Sequence, residues 1–341
     1  MHEDNSVWSE SMNKTLLENY WHLVGHRSEL KENLSYVKLK NFDHDIILYN
    51  DHGDIVIFDN KCPHRGASFF GDKAGTSKMV CPYHAWTYQK GTLYVSRPKE
   101  FTSCDVSGAS INKFKIDFCG DFIFYSISPV DSLEAQLGDF FSELREISQS
   151  INARHEYDEY IFESDWKIAV ENALEPYHIS LVHQDTLAKL KLGAGSNFFA
   201  GKNSKWVAAV TNITRGTEKV LDLFATGDRG KYYEFYYLFP FSMISGTFGL
   251  SWSIQNFFPK GDNTSFFHSR LYGVNTKKAV SESVISSLYS SIALVNRQVF
   301  EEDHRICRTI SSSSWSFLPP KFFSDSEIKL LKFRESCKSL L

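Results

Sequence analysis

Residues 61–86, which read KCPHRGASFFGDKAGTSKMVCPYHAW, constrain the fold of this chain more than any other stretch. Two short loops inside it, CPH at 62–64 and CPYH at 81–84, each offer one thiolate and one imidazole. The 16 residues between the loops are enough for a small β excursion that returns the second loop beside the first. Two sulfur and two imidazole ligands suit either zinc or an iron–sulfur cluster. The sequence therefore predicts one metal site built by two paired loops.

The order of the ligands favours the cluster over zinc. Zinc fingers usually take both cysteines from one knuckle and both histidines from another element. Here each loop supplies one of each, so that Cys62 and Cys81 would bind one iron while His64 and His84 bind the second. This is the ligation of a Rieske [2Fe–2S] cluster, in which imidazoles replace two thiolates and raise the reduction potential. A structural zinc site and a chance spacing are the alternatives.

The wording of both loops carries a family resemblance. CPHRGA at 62–67 and CPYHAW at 81–86 resemble the Rieske domain of bacterial Rieske non-haem iron oxygenases. Ala85 stands where that family usually has glycine, a departure that we expect to cost little. The resemblance implies one [2Fe–2S] cluster per chain and a second domain that holds a mononuclear iron.

Length and composition are those of an ordinary globular chain. Its 341 residues can bury two cores, and a net charge of −4 gives no basic excess that would favour nucleic acid. The first twenty residues contain no apolar run, so we expect no signal peptide, no membrane span and a cytoplasmic location. Six cysteines do not suggest a disulfide framework. The four outside the cluster loops would be small buried residues: Cys104, Cys119, Cys307 and Cys337.

Short β patterns dominate the first third of the chain. Runs at 36–41, 45–50 and 54–59 are separated by Asp, His and Gly turns, and 114–127 reads as two more strands. We predict an α+β protein in which residues 1–130 form an antiparallel β Rieske domain with an N-terminal extension. The cluster loops would lie at one tip of that domain.

The rest of the chain, residues 131–341, is predicted to form a catalytic domain. A helix at 132–147 comes first, and long β runs beginning near 205, 231, 251 and 264 indicate one large antiparallel sheet. A long helix follows, with apolar residues every three or four positions, and a capping box at 324–327 opens a final helix. The resemblance implies that the sheet curves around the long helix.

A second metal site is predicted in residues 165–183, which read DWKIAVENALEPYHISLVH. His178 and His183 would lie about 140° apart on a regular helix, so we expect the helix to loosen between them, helped by Pro176. An isolated His-x4-His would more often be two surface histidines. The pattern Trp-Lys-x3-Glu-Asn-x2-Glu-x-Tyr-His-x4-His, however, is similar to the iron-site segment of the same family. Two histidines and one carboxylate form the facial triad of non-haem Fe(II) oxygenases.

The carboxylate of that triad is predicted to be Asp303. It lies four and eight positions after two valines of the long helix, so it continues an apolar face on which an unpaired carboxylate would be costly. Glu301 and Glu302 are rivals that fall off this face, and we expect His304 to be a surface residue. The resemblance places the family's iron carboxylate in this Glu-Asp context, which implies one Fe(2+) per chain.

Two further residues complete the candidate catalytic set, Asn172 and Glu175. Glu175 precedes His178 by three positions and can orient that ligand, while its other oxygen would accept the ring N–H of His84 from a neighbouring subunit. The resemblance implies a homotrimer that allows this contact. Many ring-hydroxylating relatives carry Asp at this position, whereas relatives acting on carnitine-like compounds can carry Glu. This favours monooxygenation or demethylation over ring cis-dihydroxylation.

The resulting hypothesis is a terminal oxygenase that passes electrons from the cluster to Fe(II) and activates O2 to hydroxylate or demethylate a small organic substrate. Gly193-Ala194-Gly195 does not complete a GxGxxG motif, so a separate NAD(P)H-dependent reductase or ferredoxin would supply electrons. The alternatives are a Rieske electron carrier without oxygenase chemistry and a zinc-stabilised binding module. Aromatic residues between 232 and 258 would either line a pocket for a ring or quaternary ammonium, or belong to the core.

Overall fold

The computed structural model describes residues 5–41, 44–261 and 263–340, and it is a mixture of helices and antiparallel sheets. The helices are α1 Asn5–Asn19, α2 Leu133–Leu137, α3 Phe140–Ser150, α4 Trp166–Leu174, α5 Ile179–Val182, α6 Arg215–Leu221, α7 Glu282–Cys307 and α8 Ile328–Lys338. Among the residues described, no helix combines the length and the apolar character that crossing a membrane requires.

Small sheets make up the N-terminal region. Its strands are β1 His22–His26, β2 Ser35–Asn41, β3 His44–Asp51, β4 Asp54–Asp59, β5 Ala74–Thr76, β6 Met79–Val80, β7 Thr87–Gln89, β8 Thr92–Tyr94, β9 Lys115–Cys119 and β10 Phe122–Ser126. They form sheets in the orders β4-β3-β2-β5, β6-β7-β8 and β1-β10-β9. The antiparallel β region predicted around the cluster loops is confirmed.

Alternation along β3 explains how this region is held. Ile47 and Tyr49 pack with the two cluster cysteines and Trp86, whereas Ile46 and Leu48 on the opposite face join a core shared with the C-terminal region. Side chains of a strand point alternately to the two faces, so each face of this sheet buries its own apolar set. The cluster loops therefore rest on one side of a sheet whose other side is anchored to the rest of the molecule.

One seven-stranded antiparallel sheet dominates the C-terminal region, in the order β11-β17-β16-β15-β14-β13-β12. Its strands are β11 Ile151–Phe162, β12 Ser196–Ala200, β13 Asn203–Ala209, β14 Tyr232–Leu238, β15 Ser242–Thr247, β16 Ser251–Gly261 and β17 Thr264–Val274. Trp166 of α4 and Phe333 of α8 belong to the core on one face, with Tyr237. Leu137 of α2 and Phe140 of α3 belong to the core on the other, with neighbouring β14 side chains.

The helix predicted at 132–147 is two helices in the structure. Ser132 caps α2 by accepting from the backbone of Ala135 at 3.2 Å, as the sequence indicates. Gly138 then adopts a φ of +56° and ends this helix before α3 begins. Such a backbone angle is cheap for glycine and costly for other residues, so the apolar periodicity continues across a break that the glycine makes.

The two regions are joined through a continuous core. The indole of Trp166 donates to Asn13 of α1 at 2.9 Å, and the buried ring of His268 in β17 bonds the backbone carbonyl of Lys40 in β2 at 2.7 Å. Leu16 and Leu17 of α1 share a core with Trp166. The two segments, 1–130 and 131–341, pack against each other, and the domain boundary at residue 130 stays a prediction.

The cysteines outside the cluster loops differ in burial. Cys119, Cys307 and Cys337 are buried, as predicted from the sequence. Cys104 is exposed, which corrects the expectation for that residue, because the segment around it forms bends rather than a strand.

Candidate metal centres

The two cluster loops have the same local architecture. The backbone N–H of Gly66 donates to the carbonyl of Cys62 at 2.8 Å, and that of Ala85 donates to Cys81 at 3.0 Å. Both fourth-following residues have positive φ, +75° at Gly66 and +57° at Ala85. Each cysteine thus begins a tight turn, and the repetition of the turn gives the pair of ligand loops its symmetry.

Ligand burial in these loops is graded. Cys62 and Cys81 are each only 2% exposed, whereas His64 is half-buried and His84 is exposed. The Nδ1 atoms of the two histidines lie 3.1 Å apart, and the His64 ring stacks on Trp86 with centroids 5.0 Å apart. Two imidazole nitrogens directed at each other beside two buried thiols fit the ligand set of a Rieske cluster.

Ala85 corrects one expectation. A residue with a Cβ costs about 1–2 kcal/mol in the left-handed region that its φ of +57° occupies. Replacing the family's glycine by alanine therefore costs more stability than the small size of alanine suggests. Gly66 occupies the equivalent turn position in the other loop without that cost.

The second histidine pair flanks a broken helix. Helix α4 ends at Leu174, and Glu175 has an extended backbone with φ of −105° and ψ of 128°. Glu175 precedes Pro176, whose ring disfavours a helical conformation at the preceding residue. His178 and His183 then bracket the four-residue α5. The helix is thus interrupted before His178 and not between the two histidines. Glu175 and His178 are expected from the sequence to share one helical face, and the structure shows that they do not.

His178, His183 and Asp303, which we call the triad, converge as predicted from the sequence. The two Nε2 atoms lie 3.1 Å apart, and Asp303 Oδ1 lies 3.5 Å from that of His178 and 3.1 Å from that of His183. One ligand atom from each residue lies within 4.8 Å of the others. Two imidazole nitrogens and one carboxylate oxygen that meet at one place fit a facial iron site, which leaves coordination positions open for other ligands.

Two glutamates orient the triad histidines. Nδ1 of His178 donates to Glu175 Oε1 at 2.6 Å, and Nδ1 of His183 donates to Glu302 Oε2 at 2.7 Å. A carboxylate on Nδ1–H fixes the tautomer in which the Nε2 lone pair is free for a metal. From the sequence, Glu302 is expected only as a rival of Asp303 for the ligand role. The position of Glu302 next to Asp303 could have indicated this role, because adjacent residues of one helix can contact different atoms of the same site.

Asn172 and the second oxygen of Glu175 have defined partners. Asn172 Nδ2 donates to Asp303 Oδ1 at 2.8 Å, which holds the carboxylate from the α4 side. Glu175 Oε2 accepts the backbone N–H of His178 at 3.0 Å, so the oxygen expected to be free already accepts one hydrogen bond. A carboxylate oxygen has two lone pairs, and this one keeps capacity for a second donor.

The charges of the triad support one another. Burial opposes the charged form of His178, yet Asp303 and Glu175 raise its pKa to about 9. Burial likewise opposes the charge of Asp303, while both histidines lower its pKa to about 2. A cationic centre is therefore favoured at this point, whether protons or a metal ion provide the charge.

His304 corrects a second expectation. Its side chain is 19% exposed, its Nε2 accepts the backbone N–H of Glu163 at 2.8 Å, and its ring stacks on Phe162 with centroids 4.2 Å apart. It therefore joins α7 to the end of β11 instead of lying on the surface. Glu301 is exposed.

A cavity of about 460 Å³ opens beside the triad between α7 and the large sheet. Its aromatic lining includes Tyr233, Phe235 and Phe248 from the predicted aromatic set. Alternation along β14 places Tyr233 and Phe235 on the cavity side and Tyr236 on the other side of the strand. Its polar lining includes serines of β15 and β16, Gln255, and Lys329 from α8. The triad thus faces a largely apolar space of the size that small organic ligands occupy.

Family models match most of the chain. The model described as Rieske [2Fe-2S] domain matches residues 20–104, and the one described as ring hydroxylating alpha subunit (catalytic domain) matches 151–341. These models imply a Rieske cluster and a mononuclear iron, and the donor sets in the two regions fit both groups.

Curated relatives include both monooxygenases and dioxygenases. The glycine betaine monooxygenase oxygenase subunit of Chromohalobacter salexigens is 28% identical over 196 residues, 55% of this chain and 43% of the relative. The anthranilate 1,2-dioxygenase large subunit of Acinetobacter baylyi is 31% identical over 215 residues, 53% and 45% respectively. The matches to these two relatives thus span less than half of their length.

Solved structures share the fold over a longer span. The quaternary ammonium Rieske monooxygenase CntA, in complex with L-carnitine, superposes with a TM-score of 0.76 at 19% identity, covering 95% of this chain and 90% of that chain. Naphthalene 1,2-dioxygenase from Rhodococcus, bound to indole, gives 0.71 at 16% identity, with 98% and 96% covered. Because the catalytic-domain model matches residues 151–341, more than half of the 341, the chain belongs to the family of ring-hydroxylating alpha subunits.

Proposed function

We propose that this chain is the terminal oxygenase component of a Rieske oxygenase system. The observation that carries the proposal is the convergence of His178, His183 and Asp303 on the wall of an apolar cavity. The reaction proposed is hydroxylation or oxidative demethylation of a small organic substrate. Ring cis-dihydroxylation is the second candidate, supported by the similarity to the anthranilate dioxygenase subunit.

The residues proposed to hold the two groups are distinct. Cys62, His64, Cys81 and His84 would hold the [2Fe–2S] cluster, and the triad would hold one Fe(2+). When bound, the cluster supplies single electrons and the iron supplies O2 activation at its open positions. An electron carrier without oxygenase chemistry would have no use for a triad that opens on a cavity.

The protein's own contribution is orientation and exclusion of water. Glu175 and Glu302 hold the triad imidazoles in the metal-binding tautomer, and Asn172 fixes the triad carboxylate. Phe235 and Phe248 on the cavity wall would exclude water from part of the space in front of the triad. A substrate in the cavity would therefore face the open side of the triad.

Electron delivery is proposed to occur between subunits of a homotrimer. Tyr83, beside the exposed His84, is itself 55% exposed, and Tyr177 and Leu181, which flank His178, are each 64% exposed. Apolar side chains exposed at both places would be buried if the cluster loops of one subunit docked on α5 of the next. His84 could then donate to Glu175. A solved quaternary ammonium Rieske monooxygenase is described in terms of inter-subunit electron transfer.

A separate NAD(P)H-dependent reductase or ferredoxin is the proposed electron source. The direct test combines the chain, loaded anaerobically with Fe(II), with a surrogate reductase, NADH and a panel of candidate substrates under ¹⁸O2. We expect a product that contains labelled oxygen and that disappears when the reductase is omitted. A red-brown protein that accepts electrons but oxygenates nothing, while retaining only cluster iron, would favour the electron-carrier alternative.

A further inference from the structure

Lys329 of α8 is a buried cation on the cavity wall that the proposed chemistry leaves without a role. The residue is 2% exposed, and its Nζ donates to Asn197 Oδ1 at 3.0 Å. No carboxylate oxygen in the described parts of the chain lies within 4.0 Å of this nitrogen. An ammonium has three N–H donors, so the described residues satisfy one and leave two.

Lys167 shows what a buried lysine of this protein looks like when its charge has a structural role. It is 5% exposed, and its Nζ lies 2.9 Å from the Asp165 carboxylate. Burying an ammonium without such an anion is costly. Burial lowers the pKa of Lys329 to about 8 against the opposing effect of the Glu175 charge, so the ammonium still predominates at neutral pH. Glu175 lines the same cavity but lies beyond ion-pair distance. The cavity wall therefore carries a positive charge that no carboxylate of the described residues pairs with directly.

Lys329 also lies over the ring of Trp206, the face on which a cationic ligand would make a cation–π contact. Its Nζ lies 5.5 Å from the ring centroid of Trp206, which lines the cavity too. This is within the range of a cation–π contact. A quaternary ammonium brought to Trp206 would meet a like charge that is already desolvated, whereas an anion would gain a charge-assisted hydrogen bond.

We propose that the cavity accepts a small organic acid whose carboxylate binds Lys329 while its apolar body lies along the aromatic wall toward the triad. Lys329 is then a specificity-determining residue. The inference rests on the proposed oxygenase function and narrows its substrate class. It favours acids with an apolar body over trimethylammonium compounds, in contrast to the aromatic cage that the sequence leaves open.

Three probes of one ring size test the charge preference: benzoate, benzamide and benzyltrimethylammonium. Binding to the metal-loaded 341-residue chain is measured by anaerobic calorimetry, without turnover. We expect benzoate to bind at least tenfold tighter than benzamide and the cation to bind least. Equal affinities for benzoate and benzamide would overturn the inference.

Variants separate Lys329 from other anion sites. Lys329→Met should lose the preference for benzoate and Lys329→Arg should retain it, whereas Lys338→Met, at an exposed position of the same helix, should behave as wild type. A Lys329→Met protein that keeps a tenfold preference would place the carboxylate elsewhere, for example on the metal, and would overturn the inference.

Thermal stability provides a readout independent of ligand. Removal of a buried charge that has no ion-pair partner should leave the melting midpoint of Lys329→Met unchanged or raised, whereas Lys167→Met should lower it because Asp165 loses its partner. An equal loss in both variants would make Lys329 structural and overturn the inference. Failure of oxygenation with an intact benzoate preference would instead count against the proposed function alone.

Discussion

The cluster loops and the triad are assembled in opposite ways. The loops come from one short stretch, repeat one turn, and leave His84 exposed. The triad draws on α5 and α7, which are far apart in the chain, and His183 is 1% exposed. Each triad histidine has a carboxylate on Nδ1, whereas the two loop histidines turn that nitrogen toward each other.

This difference separates two tasks. A site that passes electrons to a partner benefits from an exposed ligand, because the partner must approach it closely. A site that activates O2 benefits from enclosure and from ligands whose orientation is fixed by neighbours. The comparison implies that either site can be lost while the other stays intact.

The largest expected effect is loss of the cluster alone. Cys81→Ala removes a buried thiolate and should abolish the visible absorption and the cluster's electron paramagnetic resonance signal, while Fe(II) binding at the triad persists. Cys104→Ala, at an exposed cysteine, is the matched control and should keep its colour. A coloured Cys81→Ala protein would refute the ligand assignment.

The next largest effect is expected at Glu175, where the cluster loops of one subunit would contact the triad of the next. Glu175→Gln keeps the size of the side chain but weakens its hold on His178, so we expect both metals to bind and oxygenation to slow by about 10–100-fold. Glu301→Gln, at an exposed position near Asp303, is the control. Native turnover in Glu175→Gln, or an active monomer by light scattering, would exclude the proposed route between subunits.

A moderate effect lies at the contact between the regions, at His268. Burial, reinforced by Arg270, lowers the pKa of this imidazole to about 3. Because the folded-state pKa lies below the unfolded value, the stabilisation is complete above pH 6.5 and is lost as pH falls from there toward 3. Each pH unit in that window costs about 1.4 kcal/mol.

Urea unfolding of wild type and His268→Gln measures this cost. Between about pH 7 and pH 5.5, the wild type should lose about 1.3 kcal/mol more unfolding free energy than the variant, which cannot titrate there. The glutamine amide can still donate to the Lys40 carbonyl that the ring bonds in the wild type. If the unfolding free energies of the two proteins depended equally on pH, protonation of His268 would not destabilise the fold and this prediction would be wrong.

The smallest effect tests the equivalence of the two loops. Ala85→Gly should raise the free energy of unfolding by up to about 1 kcal/mol, because glycine tolerates the positive φ. Gly66→Ala should lower it by a similar amount. Apart from the two adjacent residues, no atom of the described residues lies within 4 Å of the Cβ that alanine would add. Opposite signs in chemical denaturation would confirm the symmetry, and a destabilised Ala85→Gly protein would contradict it.

The same contrast explains what the sequence could predict. The cluster loops, β2 to β4 and the long α7 follow from local patterns, and Asp303 follows from its place on a helix face. Glu302 and Lys329 act through partners on distant elements, which spacing along the chain does not specify. β12 and β15 are not predicted because neither shows a clear alternation: two phenylalanines are adjacent in β12, and serine and glycine interrupt β15.

The iron content of Asp303→Ala compared with wild type tests the central claim most directly. With both sites loaded, the wild type should contain about three irons per chain, two in the cluster and one at the triad. Asp303→Ala should contain about two, with unchanged colour and no labelled-oxygen product. A variant that keeps three irons and turns over would contradict the assignment of Asp303 as the carboxylate ligand of the triad.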